Sequence, residues 1–425
     1  MSTTSHNTHK FFESLTHTAI DYNHACQILS PYLPLLDELQ HTPQDPIWHA
    51  EGNVAIHTAM VCEELEEAIA NGSAACSHDP KLRQATRLAA LLHDIAKPLV
   101  TREDHTPERT RIIAPRHAPK GASYIAYRLL DAGCPRELLH TTLDIVRLHH
   151  DPKFLIIKDK AEGAYRALAR QASIKGLYDL EMADMRGRRC DDRQAQIDII
   201  ELFALACKDY GVWEEEQAAA WEAQFQEHIT TELQSHHLEP LRIERAIAEG
   251  RQAHAQGIIF TPHEAVSREL ARDSRFCEVV LAMGPSGSGK STTLKTYASD
   301  IRPTTWISLD DIRAELTGDP SDQSKNNEVV ALSRERLRDA LRAEHQILFD
   351  ATSLIQDHRS TILSLAHDYN ALTTLMLMHT APHVCQANNK ARERSVPAHI
   401  LSKQIDTLSW PTTQEAHRVH IHRMS

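Results

Sequence analysis

The sequence predicts a multidomain protein, an all-α domain followed by an α/β domain with a mainly parallel sheet. From about residue 20 to 235, apolar residues recur at spacings of three and four, the period of amphipathic helices, and no β-hairpin signal interrupts them. Beyond residue 275, short apolar runs alternate with helical segments; these runs are CEVVLAM, TTWISL, QILFDAT and LTTLMLM. Such alternation predicts a parallel sheet with helices on both faces.

The domain boundaries are placed where these patterns change. We predict a helical domain over residues 1–200, a helical connector over 201–270 and the α/β domain over 271–425. The connector is rich in glutamate and alanine, which is typical of helices with a solvated face. A chain of 425 residues exceeds the usual size of a single core, so at least two domains are expected.

Composition and charge narrow the class of protein. Hydrophobic residues make up 41% and charged residues 24% of the chain, the balance of a globular protein. The net charge of −12 argues against a protein coated with nucleic acid, although a local basic groove remains compatible with it. The eight cysteines form no C-x-x-C pair, and no apolar stretch approaches the length of a transmembrane helix. We therefore expect a cytoplasmic protein without disulfides and without a membrane contact.

A glycine-rich turn stands between a predicted strand and a predicted helix. Residues 284–291, GPSGSGKS, fit the pattern G-x-x-x-x-G-K-[ST] in full. The glycines let successive backbone N–H groups point at phosphate oxygens, while Lys290 neutralises the β- and γ-phosphates and Ser291 coordinates Mg²⁺. The predicted ATP-binding residues are Gly284, Pro285, Ser286, Gly287, Ser288, Gly289, Lys290, Ser291 and Thr292.

Three charged segments follow this turn. The segment SLDDIR places Asp310 and Asp311 after the second strand, where a carboxylate can accept a hydroxyl proton. Asp350 ends the third strand and suits the Mg²⁺ side of the site. Arg392 and Arg394 lie where a helical lid could close over the transferring phosphoryl group.

Residues 276–410 resemble the P-loop polynucleotide kinases that phosphorylate 5′-OH ends. The resemblance implies that Asp310 is the general base, with Asp311 as the alternative, and that Arg313 binds the phosphate of the acceptor. Asp350 matches the D-A-T-N segment of that family, although Ser353 stands in place of its asparagine. The lid pattern R-N-x-x-R-x-R is matched at Arg392 and Arg394 and has an asparagine, Asn388, at its first arginine.

A second group of residues in the helical half suits a metal ion. His93-Asp94 lies inside the apolar segment LAALLHDIAKP, where a buried carboxylate is costly unless a cation compensates it. The three other His-Asp pairs lie near proline, in loops or in polar segments. Further candidate ligands occur in helical segments; they are His57, His117, His149, His150 and Asp184. Imidazole and carboxylate ligands together suit Mn, Fe, Co, Ni or Zn.

This order of residues, H…HD…H…H…D over about residues 50–190, resembles the HD phosphohydrolase superfamily. The resemblance implies one divalent ion, such as Mn²⁺, Ni²⁺ or Co²⁺, on His57, His93, Asp94 and Asp184. His117 with His149 or His150 would complete a second metal site. Lys97, one turn after the pair, either offsets charge on phosphate oxygens or caps a helix C-terminus.

Taken together, the two halves resemble the bacterial HD-Pnk enzymes that heal nucleic-acid ends. This implies removal of a 2′,3′-cyclic phosphate or 2′/3′-phosphate by one half and phosphorylation of a 5′-OH by the other. The partners would be RNA or DNA ends, with sealing left to a separate ligase. Fragments 1–200 and 260–425 should then keep one activity each. The alternatives are a small-molecule kinase fused to a nucleotide phosphohydrolase, and an ATP-dependent switch with a sensory HD domain.

Overall fold

The computed structural model describes residues 3–107, 109–298, 302–392 and 394–422. The chain forms two compact units, one of Met1–Ala223 with Ala255–Gly257 and one of Gln224–His254 with Ile258–Ser425. The segment 201–270 predicted as a connector is thus divided between the two units. Among the described residues, every helix is too short or too polar to span a bilayer.

The first unit is built from helices and one small ribbon. Its helices are α1 Thr3–Ser14, α2 Tyr22–Leu29, α3 Leu35–Glu38 followed by a 3₁₀ turn Leu39–His41, α4 Val54–Ala70, α5 Pro80–Leu92, α6 Lys97–Val100, α7 His117–Asp131, α8 Arg136–Leu148, α9 Asp151–Ile157, α10 Glu162–Ala169, α11 Ile174–Arg186 and α12 Arg193–Asp209. Helix α5 begins sharply, because Pro80 is its first residue and the Asp79 side chain accepts from the N–H groups of Lys81 and Leu82. Its last turns are buried on every side, as expected for a central helix.

Helix α11 lies very close to its neighbours at Gly176. A Cβ at this position would lie 2.8 Å from Cδ1 of Ile145 on α8 and 3.0 Å from Cδ1 of Leu82 on α5. A side chain at this position would require Ile145 and Leu82 to shift, so glycine favours this close approach. The close contact brings the carboxylates of α11 into the centre of the helical unit.

A two-stranded ribbon interrupts the helices, which the sequence did not predict. Strands β1 Arg102–His105 and β2 Thr110–Ile113 pair antiparallel, with Arg102 opposite Ile113. Strand β1 is polar and largely exposed, and β2 joins two polar residues to two adjacent isoleucines, so neither strand shows the apolar alternation on which strand prediction depends. Asp45 anchors the ribbon by accepting from the N–H of Ile112 at 3.3 Å.

The second unit carries a parallel sheet, which confirms the predicted fold class. Helix α13 Glu215–Ser235 begins in the first unit and ends in the second. The further elements of the second unit are α14 Pro240–Ala255, α15 Pro262–Leu270, β3 Glu278–Met283, α16 Lys290–Lys295, β4 Thr304–Ser308, α17 Leu309–Thr317, α18 Asn326–Arg342, β5 Gln346–Asp350, α19 Gln356–Asp368, β6 Leu372–Met378, α20 Pro382–Lys390, α21 Ala398–Asp406 and β7 Arg418–His422. The strand order is β4-β5-β3-β6-β7, and every pairing is parallel. The carboxyl ends of β3, β4 and β5 therefore lie at one edge, where ligands bind in such sheets.

Helix α14 belongs to the core of this second unit. The side chain of Arg245 is fully buried, and its Nη2 lies 2.6 Å from Oε1 of Glu269. The guanidinium also donates to the carbonyl of Asn370 and faces the Phe276 ring. A buried arginine with these partners ties α14 to the α/β domain, although the sequence placed it in a solvated connector.

Candidate metal centre and nucleotide-binding site

The predicted metal ligands come from distant segments and meet in the interior of the helical unit. His57 lies in α4, His117 begins α7 and Asp184 lies in α11, and the remaining ligands are His93, Asp94, His149 and His150. All are buried except His150, whose side chain is 29% exposed. The pair His93-Asp94 was predicted inside a helix, but α5 ends at Leu92 and the pair occupies the turn that follows. Leaving the helix lets both side chains of the pair point inward.

Asp94 lies between two groups of imidazoles. Its Oδ1 is 3.1 Å from Nε2 of His117, while its Oδ2 is 3.2 Å from Nε2 of His93 and 3.9 Å from Nε2 of His57. Burial raises the pKa of Asp94, but the charges of His93 and Lys97 and a hydrogen bond from His117 outweigh it and hold that pKa well below its usual range. An ionised carboxylate in this position can interact with one imidazole group through Oδ1 and with the other through Oδ2.

The candidate ligand atoms form overlapping triads. In each triad the atoms lie within 4.8 Å of one another, and in this unit the triads are His57–His93–Asp184, His117–His149–His150, His150–Glu181–Asp184 and His49–Glu51–His57. Ligands held about 2.1 Å from one ion lie about 3–4 Å apart, so these spacings are compatible with metal coordination. The structure therefore brings every predicted ligand of the helical half into one cluster.

The imidazoles are oriented for coordination by the backbone. The Nδ1–H groups of His93, His117 and His149 donate to the carbonyls of Ala90, Ala114 and Val146 at 2.8, 2.7 and 2.8 Å. A neutral ring that donates through Nδ1 presents a lone pair on Nε2. Nε2 of His93 and Nε2 of His149 are buried without a hydrogen-bond partner among the described residues, and Oδ2 of Asp94, 3.2 Å from Nε2 of His93, is an acceptor like the lone pair it faces. Buried lone pairs of this kind fit a divalent metal ion, which would satisfy them.

Lys97 is a partner of Asp94 and not a helix C-terminal cap. It begins the short helix α6, and its ammonium lies 2.7 Å from Oδ2 of Asp94 and donates to Oε1 of Gln44 at 2.7 Å. Because Lys97 is the first residue of α6, its side chain turns back to the preceding carboxylate and away from the carbonyls at the far end. The capping alternative raised from the sequence is therefore wrong.

Glu181 belongs to this cluster but was not predicted. It lies one turn before Asp184 on α11, is fully buried, and has no hydrogen-bond partner for either carboxylate oxygen among the described residues. Its Oε2 is 4.0 Å from Nδ1 of His150. Burial, together with the charge of Asp184, raises the pKa of Glu181 well above its usual range. The i, i+3 pair of acids within the apolar stretch LEMAD was the signal that could have revealed it.

The glycine-rich turn of the second unit requires its glycines. Gly287 has φ +80°, and a Cβ there would lie 2.3 Å from the carbonyl oxygen of Cys385 on α20. The turn is therefore packed against α20 so closely that a side chain has no room. Gly289 precedes α16, which begins at Lys290 and contains Ser291 and Thr292.

The polar groups of the turn have identified partners. Lys290 is buried and its Nζ donates to the carbonyl of Pro285 at 2.9 Å, and burial lowers the pKa of Lys290 to about 8. Oγ of Ser291 donates to Oδ2 of Asp350 at 2.5 Å. The two residues predicted to hold Mg²⁺ are thus in direct contact.

The Ser286 N–H and the Ser288 hydroxyl differ in their partners. The N–H of Ser286 donates to Oε1 of Gln404 on α21 at 2.8 Å. The hydroxyl of Ser288 is buried without a hydrogen-bond partner among the described residues. A triphosphate oxygen is an acceptor of the kind that this hydroxyl lacks.

Asp310 and Arg313 form a pair at the start of α17. Nη1 of Arg313 lies 2.6 Å from Oδ1 of Asp310; the aspartate side chain is 79% exposed and the arginine only 8%. Arg313 also donates to the carbonyl of Pro320 at 3.0 Å. The neighbouring Asp311 is exposed as well, and Ser308 caps the helix by accepting from its N–H at 3.2 Å. Arg313 is thus placed to hold the Asp310 carboxylate at the surface.

The lid segment follows α20. Arg392 and Arg394 are exposed, and the residue between them, Glu393, lies outside the described residues. Nδ2 of Asn388 donates to the carbonyl of Gly287 at 3.0 Å, so the residue at the first lid position fastens α20 to the glycine-rich turn. After burial, the positive charge of Arg392 contributes to the lowered pKa of Lys290.

Comparison with known proteins matches each half separately. A family model described as an HD domain matches residues 53–184, and one described as an AAA domain matches residues 279–411. A multifunctional CCA protein of Shewanella frigidimarina (strain NCIMB 400) is 35% identical over 79 residues, which cover 19% of this chain and 16% of the relative. The chain therefore combines a helical HD domain, of the type that binds divalent metals, with a P-loop, kinase-like AAA domain of the type that binds nucleotides.

Proposed function

We propose that the protein heals broken nucleic-acid ends with two active sites. The HD domain removes a 2′,3′-cyclic phosphate or 2′/3′-phosphate, and the P-loop domain transfers the γ-phosphate of ATP to a 5′-OH. The main support is that one chain carries both a converging cluster of buried imidazoles with unsatisfied Nε2 atoms and a P-loop whose serine contacts Asp350. Together these sites treat the two kinds of end that one broken phosphodiester bond leaves.

The mixed imidazole and carboxylate donors of the HD domain favour a divalent transition metal such as Mn²⁺, Ni²⁺ or Co²⁺, with two ions as the number that the sequence implies. A bound ion of this type would supply a water molecule whose pKa is lowered toward about 7. Asp94 lies between the two imidazole groups and would offer one carboxylate oxygen to each metal position. Among the predicted ligands, His150 is the most exposed, so the phosphate ester would enter at the side of His150 and His117.

In the kinase domain, the residues of the P-loop would exchange their internal contacts for ATP and Mg²⁺. Lys290 would release the carbonyl of Pro285 to bind phosphate, and Ser291 with Asp350 would hold Mg²⁺. Asp310, exposed at the carboxyl edge of the sheet, would take the proton of the 5′-OH as its oxygen bonds to the γ-phosphorus and ADP leaves. Arg392 and Arg394 would stabilise charge on the transferring group.

One experiment tests both activities. An oligonucleotide with a 5′-OH and a 2′,3′-cyclic phosphate is incubated with the protein, ATP, Mg²⁺ and Mn²⁺, and both termini are mapped. We expect a 5′-phosphate and a 3′ end without its cyclic phosphate. RNA and DNA versions of the 5′ end measure the preference of the kinase.

The same assay separates the alternatives. A small-molecule kinase would phosphorylate free nucleosides or sugars and leave the oligonucleotide unchanged. An ATP-dependent switch would hydrolyse ATP without any phosphorylated acceptor. Either outcome would reject the end-healing proposal.

A further inference from the structure

We infer that Glu181, together with His150 and Asp184, forms a third cation position in the HD metal centre, besides the two implied by the sequence. This inference rests on the proposed metal-dependent function of the HD domain. The ligands implied by the sequence did not include Glu181, which becomes part of the centre only through the packing of α11.

The burial of Glu181 is unusual because nothing in the described residues satisfies it. The side chain is fully buried, and neither carboxylate oxygen has a hydrogen-bond partner. A carboxylate removed from water without a partner is costly, so native proteins pair such groups with donors or metals.

The same helix shows how a structural carboxylate is satisfied. Asp179 on α11 is also buried, but its Oδ1 accepts from the N–H of Ala75 at 2.8 Å and its Oδ2 from the N–H of Cys76 at 2.7 Å. Glu181 has no such donors and faces the metal centre instead. The contrast favours a ligand role for Glu181 over a purely structural one.

The geometry around Glu181 is that of a ligand set. The donor atoms of His150, Glu181 and Asp184 lie within 4.8 Å of one another. His150 directs Nε2 to His117 at 3.1 Å and its other nitrogen, Nδ1, toward Glu181 at 4.0 Å. Its Nδ1 side is therefore directed away from His117 and toward Glu181.

Asp184 can contribute to this position despite its other contacts. Both of its oxygens accept from Arg188, at 3.1 and 2.5 Å, and Oδ1 also lies 2.9 Å from Nε2 of His57. A carboxylate has about four lone-pair sites, so these contacts leave capacity for a metal. Arg188 and the partly buried Lys153 act on Glu181 only at longer range, because neither is its hydrogen-bond partner.

The charges of the cluster also call for cations. Four buried or half-buried carboxylates meet there, Glu51, Asp94, Glu181 and Asp184, while the cations in direct ion pairs with them are Lys97 and Arg188. Divalent ions would compensate the charge of each of these carboxylates that ionises. Glu181 has no hydrogen-bond partner for either oxygen among the described residues. A cation at its position would therefore stabilise the ionised carboxylate that is otherwise the most costly to bury.

The test measures bound metal directly. Wild-type protein and the Glu181→Gln variant are stripped with a chelator, reconstituted with Mn²⁺ and desalted, and the equivalents of Mn²⁺ per chain are determined by elemental analysis. Glutamine has the shape of a neutral glutamic acid, so it would preserve a purely structural role. We expect the variant to retain one equivalent of Mn²⁺ fewer than the wild type while the stripped protein unfolds at the same or a higher temperature.

Controls separate the possible outcomes. The Asp179→Asn variant, on the same helix, should bind as much Mn²⁺ as the wild type, and a cooperative thermal unfolding transition of residues 1–200 of each variant verifies that the helical unit is folded. Glu181→Ala replaces the glutamine variant if the latter does not fold. Equal Mn²⁺ in the wild type and in a folded Glu181 variant would overturn this inference alone. A wild-type protein that binds no Mn²⁺, Ni²⁺ or Co²⁺ would overturn the proposed phosphohydrolase with it.

Discussion

The ammonium nitrogen of Lys97 lies 2.7 Å from Oδ2 of Asp94, and both side chains are almost completely buried. The cost of burying Asp94 is therefore met in part by a cation of the protein itself. Asp94 alone does not require a metal, whereas the unsatisfied Nε2 atoms of His93 and His149 do call for a partner.

Removal of the Lys97 charge should destabilise the metal-free protein. We expect Lys97→Met to lower the free energy of unfolding of stripped protein by about 3 kcal/mol, because the buried Asp94 carboxylate loses its ion pair with the ammonium group. Bound Mn²⁺ should reduce this difference. Thermal unfolding with and without metal checks it, and Lys81→Met is the control, since Lys81 pairs with Glu137 at an exposed site. An equal loss with and without Mn²⁺ would contradict the prediction.

Loss of one imidazole should separate the two activities. We expect His149→Gln to reduce removal of the cyclic phosphate by at least about a hundredfold, since a buried metal ligand is lost, and to leave 5′ phosphorylation unchanged. Both rates are measured on the same oligonucleotide, and His105→Gln, on the exposed ribbon, serves as the control. Chelation should reproduce the effect in the wild type. A parallel fall in kinase activity would indicate general misfolding or a shared site.

The two neighbouring aspartates of α17 should differ in importance. We expect Asp310→Asn to reduce 5′ phosphorylation by about 10²–10⁴-fold with ATP affinity retained, because the general base is lost. Asp311→Asn should have little effect, since the Ser308 cap uses the backbone N–H of Asp311 and not its carboxylate. Kinase rates and ATP binding are compared for both variants. The opposite ranking would make Asp311 the base.

A methyl group at Gly287 should damage the nucleotide site through contact with α20. Gly287 and Gly318 both have φ +80°, but only Gly287 lacks space, because a Cβ at Gly318 meets nothing within 4 Å. Gly318→Ala should therefore cost about 1 kcal/mol of stability from backbone strain and leave ATP binding unchanged. Gly287→Ala should also weaken ATP binding strongly. Similar ATP affinities in the two variants would show that the contact with Cys385 does not matter.

The extent of the kinase fragment should depend on Arg245. Residues 260–425, the fragment suggested by the sequence, lack Arg245, so Glu269 and Phe276 would lose a buried partner. We expect residues 224–425 to unfold at a higher temperature and to retain more 5′-kinase activity. Circular dichroism melts of the two fragments provide the measurement. A shorter fragment that is as stable as the longer one would mean that α14 adds nothing.

Some features were readable because their signals are local. The P-loop combines a strand, a glycine turn and a helix within one continuous segment, and the pattern H…HD…H…H…D keeps its order along the chain. The ribbon β1–β2 was missed because its polar residues carry no periodic signal, and Arg245 was assigned to a solvated helix because its partners lie far along the chain.

By itself, the sequence determined the fold class, the P-loop and the candidate metal ligands, because periodicity and motif spacing are properties of neighbouring residues. Only the tertiary structure decided which distant side chains meet. It placed Lys97 on Asp94, Asn388 on the P-loop and Glu181, without a hydrogen-bond donor, beside His150. These relationships depend on how helices pack, since the burial and the partners of a polar group are set by elements remote in the chain.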